Sequence, residues 1–598
     1  MNHRALLTVL IVLAIPANAR AQAAKPVPVT LEKTADGYRL LRDGKPFFIK
    51  GAGGSGPLDR LKAAGANSNR TWGADNLGPM LDEAQKLGLT ITVGIWLGHE
   101  EHGFSYNNAN QVADQVAQVR KSVEQYKNHP AVLMWALGNE MEGYGAGDNA
   151  AIWSAINNLA VMVKRLDPNH PVMTVISEIG GDRVKNINRL CPDVDIVGIN
   201  SYGGGPSIPE RYKAAGGTKP YVLTEYGPGG TWETGKTAWG AAQELTSTQK
   251  AEAYRRTYTQ AIVNRPLSLG GYAFTWGFKQ EATATWFGML LSDGSNLGVV
   301  DTMTELWSGK PPANRCPVIN SLKLDGPDQV DPGATVHASF NVTDPDGDPL
   351  QVTWVLQPEA DRYNLGGSSE RALPTYPEAI VKSGKDGADV KLPAEAGGYR
   401  LFAYARDGKG NAAVGNIPLL VKGEIKPVAA TAAKLPFTVY SDQGQGDAVY
   451  VPTGWMGNIK ALKLDEGCKI QPHSGTTCIQ CDYSAGNDWA GVVWQSPAND
   501  WGDLPGGRNL NGAKRLTFWA RGDKGTETVT FLIGLIGADS KYPDTAQAKL
   551  ETKLTTAWQQ FSMDLTGKDL TRVKTGFAFT VAGQGRPVTF YLDDIRYE

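Results

Sequence analysis

The chain has 598 residues, with 59 Lys plus Arg against 61 Asp plus Glu and a formal net charge of -2. A chain of this length exceeds what one hydrophobic core supports, so about three domains are expected. The balanced charge offers no basic face for nucleic acid, and nucleic-acid binding is therefore not expected.

Residues 1–23 have the features of a secretory signal peptide. A short basic start precedes an apolar run from Ala5 to Ile15, and small residues follow in A-x-A spacing. We therefore expect a secreted or periplasmic protein. The apolar run is too short to span a bilayer comfortably. No other stretch is apolar enough to do so, and membrane insertion is not expected.

The five cysteines suit an exported protein with few disulfides. Cys468, Cys478 and Cys481 lie close together in the sequence, and one bridge among them is expected. Cys191 and Cys316 are left open as free or paired. A zinc site is the alternative, but the pair at 478 and 481 lacks a second pair of ligands at a suitable spacing.

Residues 24–312 alternate short apolar runs with amphipathic helical segments. Eight strands are predicted, at 46–53, 66–73, 89–98, 131–140, 171–178, 194–202, 220–227 and 269–278. Eight buried strands separated by helices predict a closed (β/α)8 barrel, a TIM barrel. An open doubly wound sheet is the rival. It would need a phosphate-binding glycine loop, and "GAGGSG" at 51–56 lacks the rest of that unit.

The remaining chain is β-patterned. Residues 313–425 carry alternating strands and Asp-Gly turns, which predict an immunoglobulin-like β-sandwich. Residues 426–436 are rich in Ala and Pro and form a predicted linker. Residues 437–598 are predicted to form a jelly-roll β-sandwich. The turn "DPDGDPL" at 344–350 is acidic enough for a structural calcium, although such turns more often have no metal.

Polar side chains follow the predicted barrel strands. Barrel enzymes place their active sites at this carboxyl end. The residues there are Arg70, His99, Glu140, Glu178, Tyr202, Glu225 and Trp276. Glycoside cleavage needs two carboxyl groups, one to protonate the departing oxygen and one to attack the anomeric carbon or activate water. Glu140 and Glu225 are the candidate pair.

Three stretches resemble the catalytic barrel of glycoside hydrolase family 2, within the clan of retaining barrel glycosidases. They are "NHPAVLMWALGNE" (128–140), "YVLTEYG" (221–227) and "GGYAFTWGFKQ" (270–280), and the resemblance covers about residues 38–310. It implies that Glu140 is the acid/base and Glu225 the nucleophile, without a cofactor.

The resemblance also implies substrate-binding residues. Asn139 matches the residue that hydrogen-bonds the sugar 2-hydroxyl, and Arg70 the arginine that keeps the nucleophile ionised. Tyr202 matches a tyrosine beside the nucleophile. Trp276 matches a tryptophan that forms the base of the sugar site, on which the apolar face of the sugar packs. His99 lies in "GHEEHG", one residue too short for the H-E-x-x-H zinc pattern. For His99, two roles remain possible from the sequence: contact with the sugar, or a place in a solvated polar loop.

Family 2 enzymes usually carry their accessory domains before the barrel, whereas here they follow it. The terminal "TFYLDDIRYE" resembles the last strand of galactose-binding-like carbohydrate-binding modules. In the predicted C-terminal sandwich, the candidates for aromatic residues that stack on a sugar ring are Trp455, Trp489, Trp494 and Trp501.

We therefore predict a monomeric retaining hydrolase that acts on a polysaccharide or oligosaccharide with β-linkages, with β-glucan as the expected substrate. A β-glycan transglycosidase with the same residues and a non-catalytic carbohydrate-binding protein are the two alternatives.

Overall fold

The computed structural model describes residues 25–100, 104–143, 145–360, 373–423, 432–442, 449–503 and 506–598. The predicted signal peptide lies outside these ranges, as does most of the predicted linker. The chain divides into two compact units. One comprises residues 1–394 and 398–422, and the other comprises residues 395–397 and 423–598.

Eight parallel strands close into a barrel, so the predicted fold is confirmed. The strands are β4 (Ile49–Gly53), β5 (Ser68–Arg70), β6 (Thr90–Ile95), β7 (Val132–Leu137), β8 (Val172–Ser177), β9 (Ile196–Asn200), β10 (Tyr221–Tyr226) and β11 (Ser268–Phe274). Their order around the barrel is β10-β11-β4-β5-β6-β7-β8-β9. Seven lie within their predicted ranges, and β11 begins one residue earlier.

A small antiparallel sheet precedes the barrel. It comprises β1 (Val29–Lys33), β2 (Tyr38–Arg42) and β3 (Lys45–Pro46). Val29 and Leu40 from this sheet share a buried cluster with Leu133 and Met134 of β7. The sheet therefore adds apolar packing to the barrel strands.

One helix follows each barrel strand. The helices are α1 (Leu58–Ala63), α2 (Gly78–Leu87), α3 (Ala109–Tyr126), α4 (Ala150–Leu166), α5 (Arg183–Leu190), α6 (Ile208–Ala214), α7 (Ser247–Thr257) and α8 (Gly298–Ser308). A short π-helix, Tyr258–Ile262, extends α7. The helical segments predicted from the sequence cover α1, α2, α3, α4 and α7, whereas α5, α6 and α8 were missed.

The immunoglobulin-like region is a sandwich of two four-stranded sheets, as predicted. One sheet has the order β12-β14-β17-β16 and the other β13-β19-β18-β15. Their bounds are β12 (Val318–Leu324), β13 (Gln329–Val330), β14 (Thr335–Thr343), β15 (Gln351–Pro358), β16 (Ile380–Ser383), β17 (Gly387–Lys391), β18 (Gly397–Arg406) and β19 (Ala412–Val421).

Buried polar contacts join this sandwich to the barrel segment between β10 and α7. Arg400 of β18, 1% exposed, donates from Nη2 to the Ala242 carbonyl at 2.9 Å. Asn416 of β19 donates from Nδ2 to Glu244 Oε2 at 2.7 Å. Buried donors and acceptors are costly unless paired, so each side of this contact satisfies the other.

The C-terminal unit is a second β-sandwich, also as predicted. One sheet has the order β22-β23-β30-β25-β28, with β20 paired to β30, and the other β21-β24-β29-β26-β27. The bounds are β20 (Phe437–Tyr440), β21 (Val451–Gly457), β22 (Leu462–Cys468), β23 (Cys478–Tyr483), β24 (Trp489–Gln495), β25 (Arg515–Gly522), β26 (Thr528–Ile533), β27 (Ala548–Lys553), β28 (Gln559–Asp564), β29 (Thr575–Ala582) and β30 (Val588–Tyr597).

The four candidate platform tryptophans of this unit differ in exposure. Trp494 is buried and belongs to the core, and Trp455 is partly buried against it. Trp489 and Trp501 are 45% and 43% exposed. Only the last two could present an indole face to a sugar.

All five cysteines are free thiols, so the expected bridge is not formed in the structure. Cys468 and Cys478 nevertheless stand directly opposite each other on the antiparallel strands β22 and β23. No helix in the described part of the chain has both the length and the apolarity needed to cross a bilayer.

Candidate active site

Five of the seven residues predicted to act in catalysis or substrate binding meet in one hydrogen-bond network at the carboxyl ends of the barrel strands. They are Arg70, Asn139, Glu140, Tyr202 and Glu225, from the ends of β5, β7, β9 and β10. Parallel strands bring their carboxyl ends to one rim of a barrel, which is why residues so far apart in sequence converge.

Three donors surround the Glu225 carboxylate. Oε1 accepts from Arg70 Nη1 at 3.0 Å and from Trp72 Nε1 at 2.7 Å. Oε2 accepts from the Tyr202 hydroxyl at 2.7 Å. The residue is 5% exposed. Charge-assisted hydrogen bonds on both oxygens stabilise the carboxylate and fix its orientation.

Arg70 links the two halves of the site. Its guanidinium is 1% exposed and donates from Nη2 to Asn139 Oδ1 at 2.7 Å, while Nη1 serves Glu225. Asn139 Oδ1 also accepts from Asn200 Nδ2 at 3.2 Å. With its oxygen occupied in this way, Asn139 has its side-chain NH2 to offer to a sugar hydroxyl.

Glu140 has a different environment. Oε1 accepts from Asn200 Nδ2 at 2.6 Å. Burial raises the pKa of Glu140 to about 8, and the charge of Glu225 adds to the rise, against the lowering effect of the Asn200 hydrogen bond. A carboxyl group with this pKa is protonated at neutral pH and can donate a proton.

The backbone turns sharply where β7 ends. Gly138 has φ 72° and Glu140 φ 53°, both in the left-handed region. A non-glycine residue rarely adopts this conformation, and such strained residues cluster at functional sites. The turn explains why a fully buried apolar strand ends in "GNE": the chain leaves the strand direction there and carries both polar side chains at the rim.

The remaining two predicted residues lie elsewhere. Trp276 is 1% exposed and donates from Nε1 to the Pro57 carbonyl at 2.9 Å, so it has a structural contact whatever its part in sugar binding. His99 is 8% exposed and stacks on Trp96, with ring centroids 5.1 Å apart. The sugar-binding roles of both stay predictions.

Sequence reasoning missed Trp72 and Asn200, which contact the two carboxyl groups directly. Each lies within two residues of a predicted one: Trp72 follows Arg70 in "NRTWG", and Asn200 precedes Tyr202 in "NSY". Their positions at strand ends were the available signal. It is weak, because tryptophan and asparagine are common structural residues at such ends.

Aromatic rings wall the Glu225 side of the site. Trp72 and Tyr202 pack against Phe274, with centroids 5.8 and 5.7 Å apart, and Tyr202 also contacts Phe287. Trp232, 52% exposed, meets the edge of Tyr202 at 5.9 Å. Burial and the charge of Glu225 raise the pKa of Tyr202 well above its usual value, so its hydroxyl stays a donor.

The acidic turn at 344–350 was predicted as a candidate calcium site, and the structure places Asp407 beside it. Asp344, Asp348 and Asp407 could each offer one oxygen, and these oxygens lie within 4.8 Å of one another. Oxygen-only ligands suit Ca²⁺. Lys409 Nζ, 2.5 Å from Asp348 Oδ1, already supplies one positive charge to the cluster.

Asp593 and Asp594, another acidic pair near the end of the chain, are engaged with protein groups. Asp593 accepts from the His473 amide at 2.9 Å, and Asp594 pairs with the His473 ring at 2.9 Å.

The comparisons with known proteins agree with this geometry. Residues 59–266 match the family model described as "Glycosyl hydrolases family 2, TIM barrel domain". Over 319 residues the chain is 24% identical to mannan endo-1,4-beta-mannosidase F of Aspergillus fumigatus, covering 37% of this chain and 72% of that protein. Over 186 residues it is 28% identical to the beta-glucuronidase of Chlorocebus aethiops, covering 27% of this chain and 26% of that protein.

Among solved structures, Bacteroides uniformis beta-glucuronidase 2 aligns over 95% of this chain and 67% of its own, with 13% identity and a TM-score of 0.38.

A parallel eight-stranded barrel with two carboxyl groups in different environments at its rim defines the class of protein as a glycoside hydrolase. Residues 59–266 of the barrel match the family model described as a family 2 TIM barrel domain, so the predicted resemblance is confirmed over that range, which includes two of the three motifs.

Proposed function

We propose that this chain hydrolyses a β-linked glycan of uncharged sugars, a β-glucan in the first instance, with retention of configuration. The observation that carries the proposal is the contrast between its two carboxyl groups. Three donors stabilise the Glu225 carboxylate, while burial and that same charge keep Glu140 protonated near neutral pH.

In the first step, a Glu225 oxygen attacks the anomeric carbon and forms a covalent glycosyl ester. The bond from that carbon to the leaving oxygen breaks, and Glu140 gives its proton to this oxygen. Once Glu225 is esterified, its charge no longer raises the pKa of Glu140, which then suits the next step.

In the second step, the Glu140 carboxylate takes a proton from water, and the water oxygen attacks the anomeric carbon. Glu225 departs as a carboxylate and Glu140 is protonated again. Arg70 and Tyr202 receive the returning negative charge through the hydrogen bonds they make to Glu225 in the resting site.

The charges near the two carboxyl groups favour an uncharged sugar. Lys279, a cation of the loop after β11, is paired with Glu281 at 2.7 Å. Arg70 is committed to Glu225 and Asn139. A substrate carboxylate would have to compete for these cations. The relatives include enzymes named for mannan and for glucuronides, and this pairing supports the uncharged class.

Azide rescue tests the two roles separately. With an aryl β-glycoside, Glu225→Ala is inactive, and azide restores turnover by replacing the nucleophile, giving an α-glycosyl azide. Glu140→Ala with azide gives a β-glycosyl azide, because azide intercepts the intermediate. Full activity of either variant without azide, or azide products of the opposite configuration, contradicts the assignment.

A glycan panel scored by product chromatography identifies the substrate. The native protein is expected to release shorter sugars from a β-glucan, and Glu225→Ala and Glu140→Ala to release none. Products longer than the substrate would support the transglycosidase instead. Binding without any turnover would support the carbohydrate-binding protein.

Export completes the proposal. A signal peptide at residues 1–23 accounts for the basic and apolar start of the chain. N-terminal sequencing of the mature protein from culture medium or periplasm is expected to begin near residue 24. We also propose that the chain acts as a monomer, which sedimentation of the purified protein tests.

A structural calcium at the cluster of Asp344, Asp348 and Asp407 is a further part of the proposal. The carboxylate oxygens there fit a hard cation. Binding to the folded state alone would raise the unfolding temperature. Calcium is therefore expected to raise it and a chelator to lower it, and Asp407→Asn is expected to abolish the difference.

A further inference from the structure

An ion pair with little exposed area lies next to the Glu225 site. Lys279 and Glu281 belong to the loop that follows β11, and Lys279 Nζ is 2.7 Å from Glu281 Oε2. Their side chains are 17% and 7% exposed. A buried pair adds little to stability, because the cost of removing two charges from water offsets their attraction. Its position beside the two carboxyl groups therefore indicates a role in the site rather than in the core.

The Phe274 ring connects this pair to the nucleophile. Lys279 Nζ lies 4.7 Å from the centroid of the ring, which is a cation–π distance. The same ring packs against Trp72 and Tyr202, with centroids 5.8 and 5.7 Å away. Both of those residues donate hydrogen bonds to Glu225. The ammonium group is thus one aromatic ring away from the donors that hold the nucleophile.

Glu281 and Glu225 also influence each other through their charges. Burial raises the pKa of Glu281, the ammonium of Lys279 lowers it, and the charge of Glu225 raises it. The charge of Glu281 is likewise among the causes that raise the pKa of Tyr202, the hydroxyl that donates to Glu225. Glu281 therefore contributes to the electrostatic potential that a group bound at Glu225 would experience.

The loop that carries the pair is fixed in place. Glu281 and Thr283 exchange two backbone hydrogen bonds, at 3.2 and 2.6 Å. The hydroxyls of Thr283 and Thr285 donate to Glu244 at 2.8 and 2.7 Å. Glu244 is itself buried, with 1% of its side chain exposed. A substrate group therefore meets the Lys279 cation with its acid partner already in position.

The charges around the nucleophile compensate one another. Arg70 pairs with Glu225 at 3.0 Å, as Lys279 does with Glu281. A sugar carboxylate would add an uncompensated negative charge in a site with little solvent, where repulsion is weakly screened. An uncharged sugar leaves the balance as it is. If Glu281 carried no charge, the same sugar carboxylate would instead meet an unpaired ammonium.

We propose that Glu281 sets the charge selection of this site: by neutralising Lys279 it excludes uronic acids and admits uncharged sugars. It follows that Lys279 Nζ is a latent binding site for a sugar carboxylate, which a single substitution of Glu281 opens. The proposal rests on the proposed function, because it needs Glu225 to be the nucleophile beside which the sugar ring binds.

Two aryl β-glycosides with the same aryl group test this selection. One carries the uncharged sugar that the glycan panel identifies, and the other carries the matching uronic acid, with a carboxylate in place of the hydroxymethyl group. The measured quantity is the uronide ratio, which is kcat/KM for the uronide divided by kcat/KM for the uncharged glycoside. Glu281→Gln is expected to raise this ratio at least about tenfold, as for one added hydrogen bond between charged groups. An unchanged or lower ratio, or a native protein that already prefers the uronide, overturns the proposal.

A double variant identifies the cation responsible. Lys279→Gln combined with Glu281→Gln keeps side chains of similar size and carries no charge at either position. The gain on the uronide should therefore disappear in the double variant. A gain that persists without Lys279 overturns the proposal.

Glu178→Gln is the matched control for loss of a negative charge at the rim. Glu178 follows β8 and pairs with Arg211 at 2.7 Å, but the two side chains are 37% and 33% exposed. Solvent screens such a pair, so the uronide ratio is expected to stay close to the native value. A gain as large as that of Glu281→Gln would show that any lost carboxylate suffices, and would overturn the proposal.

If the Glu281 variants do not fold, the pH dependence of the native protein provides the test. The charged and titratable groups that face Glu281 are Lys279, Glu225 and Tyr202. Because the pKa of Glu281 is raised above 4.5, this group takes up a proton as pH falls from 7 to 4.5, whereas a uronic acid stays largely ionised. The uronide ratio should therefore rise over this range, since any effect on Glu225 acts on both substrates and cancels. A constant or falling ratio overturns the proposal.

The failures of the two proposals differ. If the native protein turns over no glycan and azide rescues neither variant, the proposed function fails. If turnover and azide rescue occur while the uronide ratio responds neither to Glu281→Gln nor to pH, only the charge selection by Glu281 fails.

Discussion

Asn200 donates its side-chain amide to Glu140 at 2.6 Å, which couples the end of β9 to the predicted acid on β7. The amide is held in this orientation because the Thr224 hydroxyl donates to Asn200 Oδ1 at 2.7 Å. This hydrogen bond favours the charged form of Glu140 and so opposes burial, which is the main cause of its raised pKa. The acid strength of Glu140 therefore depends on a residue that takes no part in bond breaking.

Replacing Asn200 with alanine is expected to raise the pKa of Glu140 above about 8, because the hydrogen bond that lowers it is lost. The basic limb of the kcat/KM profile should move to higher pH, and kcat should fall about tenfold as the carboxyl group loses its orientation. Asn188→Ala is the control, since Asn188 of α5 donates to the Gly216 carbonyl at 2.8 Å and makes no hydrogen bond to the predicted site residues among the described part of the chain. A basic limb that stays in place or moves down would contradict this prediction.

Arg70→Lys is expected to lower kcat/KM by at least about 100-fold. One ammonium group cannot reproduce the planar fork that serves Asn139 and Glu225 together. Removing the cation, in Arg70→Ala, should also cost about 3–5 kcal/mol of unfolding free energy, because Glu225 is left buried without its partner.

Steady-state kinetics and urea unfolding check both expectations for Arg70. Arg39→Lys provides the comparison, since Arg39 is 54% exposed and pairs with Glu32 at 3.5 Å. Comparable behaviour of the two lysine variants would show that Arg70 does not organise the site.

Stability should depend on pH through Glu140. In the unfolded chain this group ionises near 4.5, whereas in the folded protein its pKa is raised to about 8 by burial and by Glu225. Between these values the folded state binds more protons than the unfolded state, so stability falls as pH rises through this window. Glu140→Gln lacks this proton, and its stability relative to the native protein should increase from pH 4.5 to 8.

Urea unfolding at pH 5 and pH 8.5 measures this change. Repeating the comparison in a Glu225→Gln background should shrink it, because the charge of Glu225 contributes to the raised pKa. Parallel stability curves for the native protein and Glu140→Gln would refute the linkage.

Trp232→Ala is expected to raise KM for a soluble tetrasaccharide several-fold, up to about tenfold, because an exposed indole beside Tyr202 is lost from the Glu225 side of the site. Trp489→Ala and Trp501→Ala change exposed indoles of the C-terminal unit. They should leave soluble kinetics unchanged and weaken only retention on insoluble polysaccharide. If Trp232→Ala changed only retention on insoluble polysaccharide, and Trp489→Ala or Trp501→Ala raised KM for the soluble tetrasaccharide, the roles assigned to the rim and to the C-terminal unit would be reversed.

Cys468 and Cys478 should form a disulfide once the protein is exported. Residues directly opposite on antiparallel strands have Cα atoms about 4.5–5.5 Å apart, within the range of disulfides. Burial raises the pKa of Cys478 to about 12, so little thiolate is present and a thiol oxidase is needed. Peptide mapping of exported protein should find this bridge, and protein made in a reducing cytoplasm should lack it. A bridge to Cys481 would contradict the prediction.

The barrel could be predicted from the sequence because most of its strands lie in short apolar runs that are separated at regular intervals by helical segments. β7 shows why: all six of its residues are buried, and the pattern changes abruptly at Gly138. The pairing of Glu140 with Glu225 could be predicted because strand ends of a closed barrel must converge.

The donors on these carboxyl groups could not be predicted in the same way. Trp72 and Asn200 act through distances of 2.7 and 2.6 Å, which depend on how neighbouring strands are staggered rather than on residue type. Helix α5 was missed although it is amphipathic, with Val184 and Ile187 on its buried face.

The contact between Arg400 and Ala242 bears on how such enzymes exchange modules. A fragment ending near residue 312 would expose Glu244 without Asn416 and the Ala242 carbonyl without Arg400, in the segment that follows the strand carrying Glu225. Recombination at that point would therefore shorten the chain and also disturb the segment next to the strand that carries Glu225. The barrel and its first sandwich are expected to be inherited together, whereas a crossover near residue 423 would leave this interface intact.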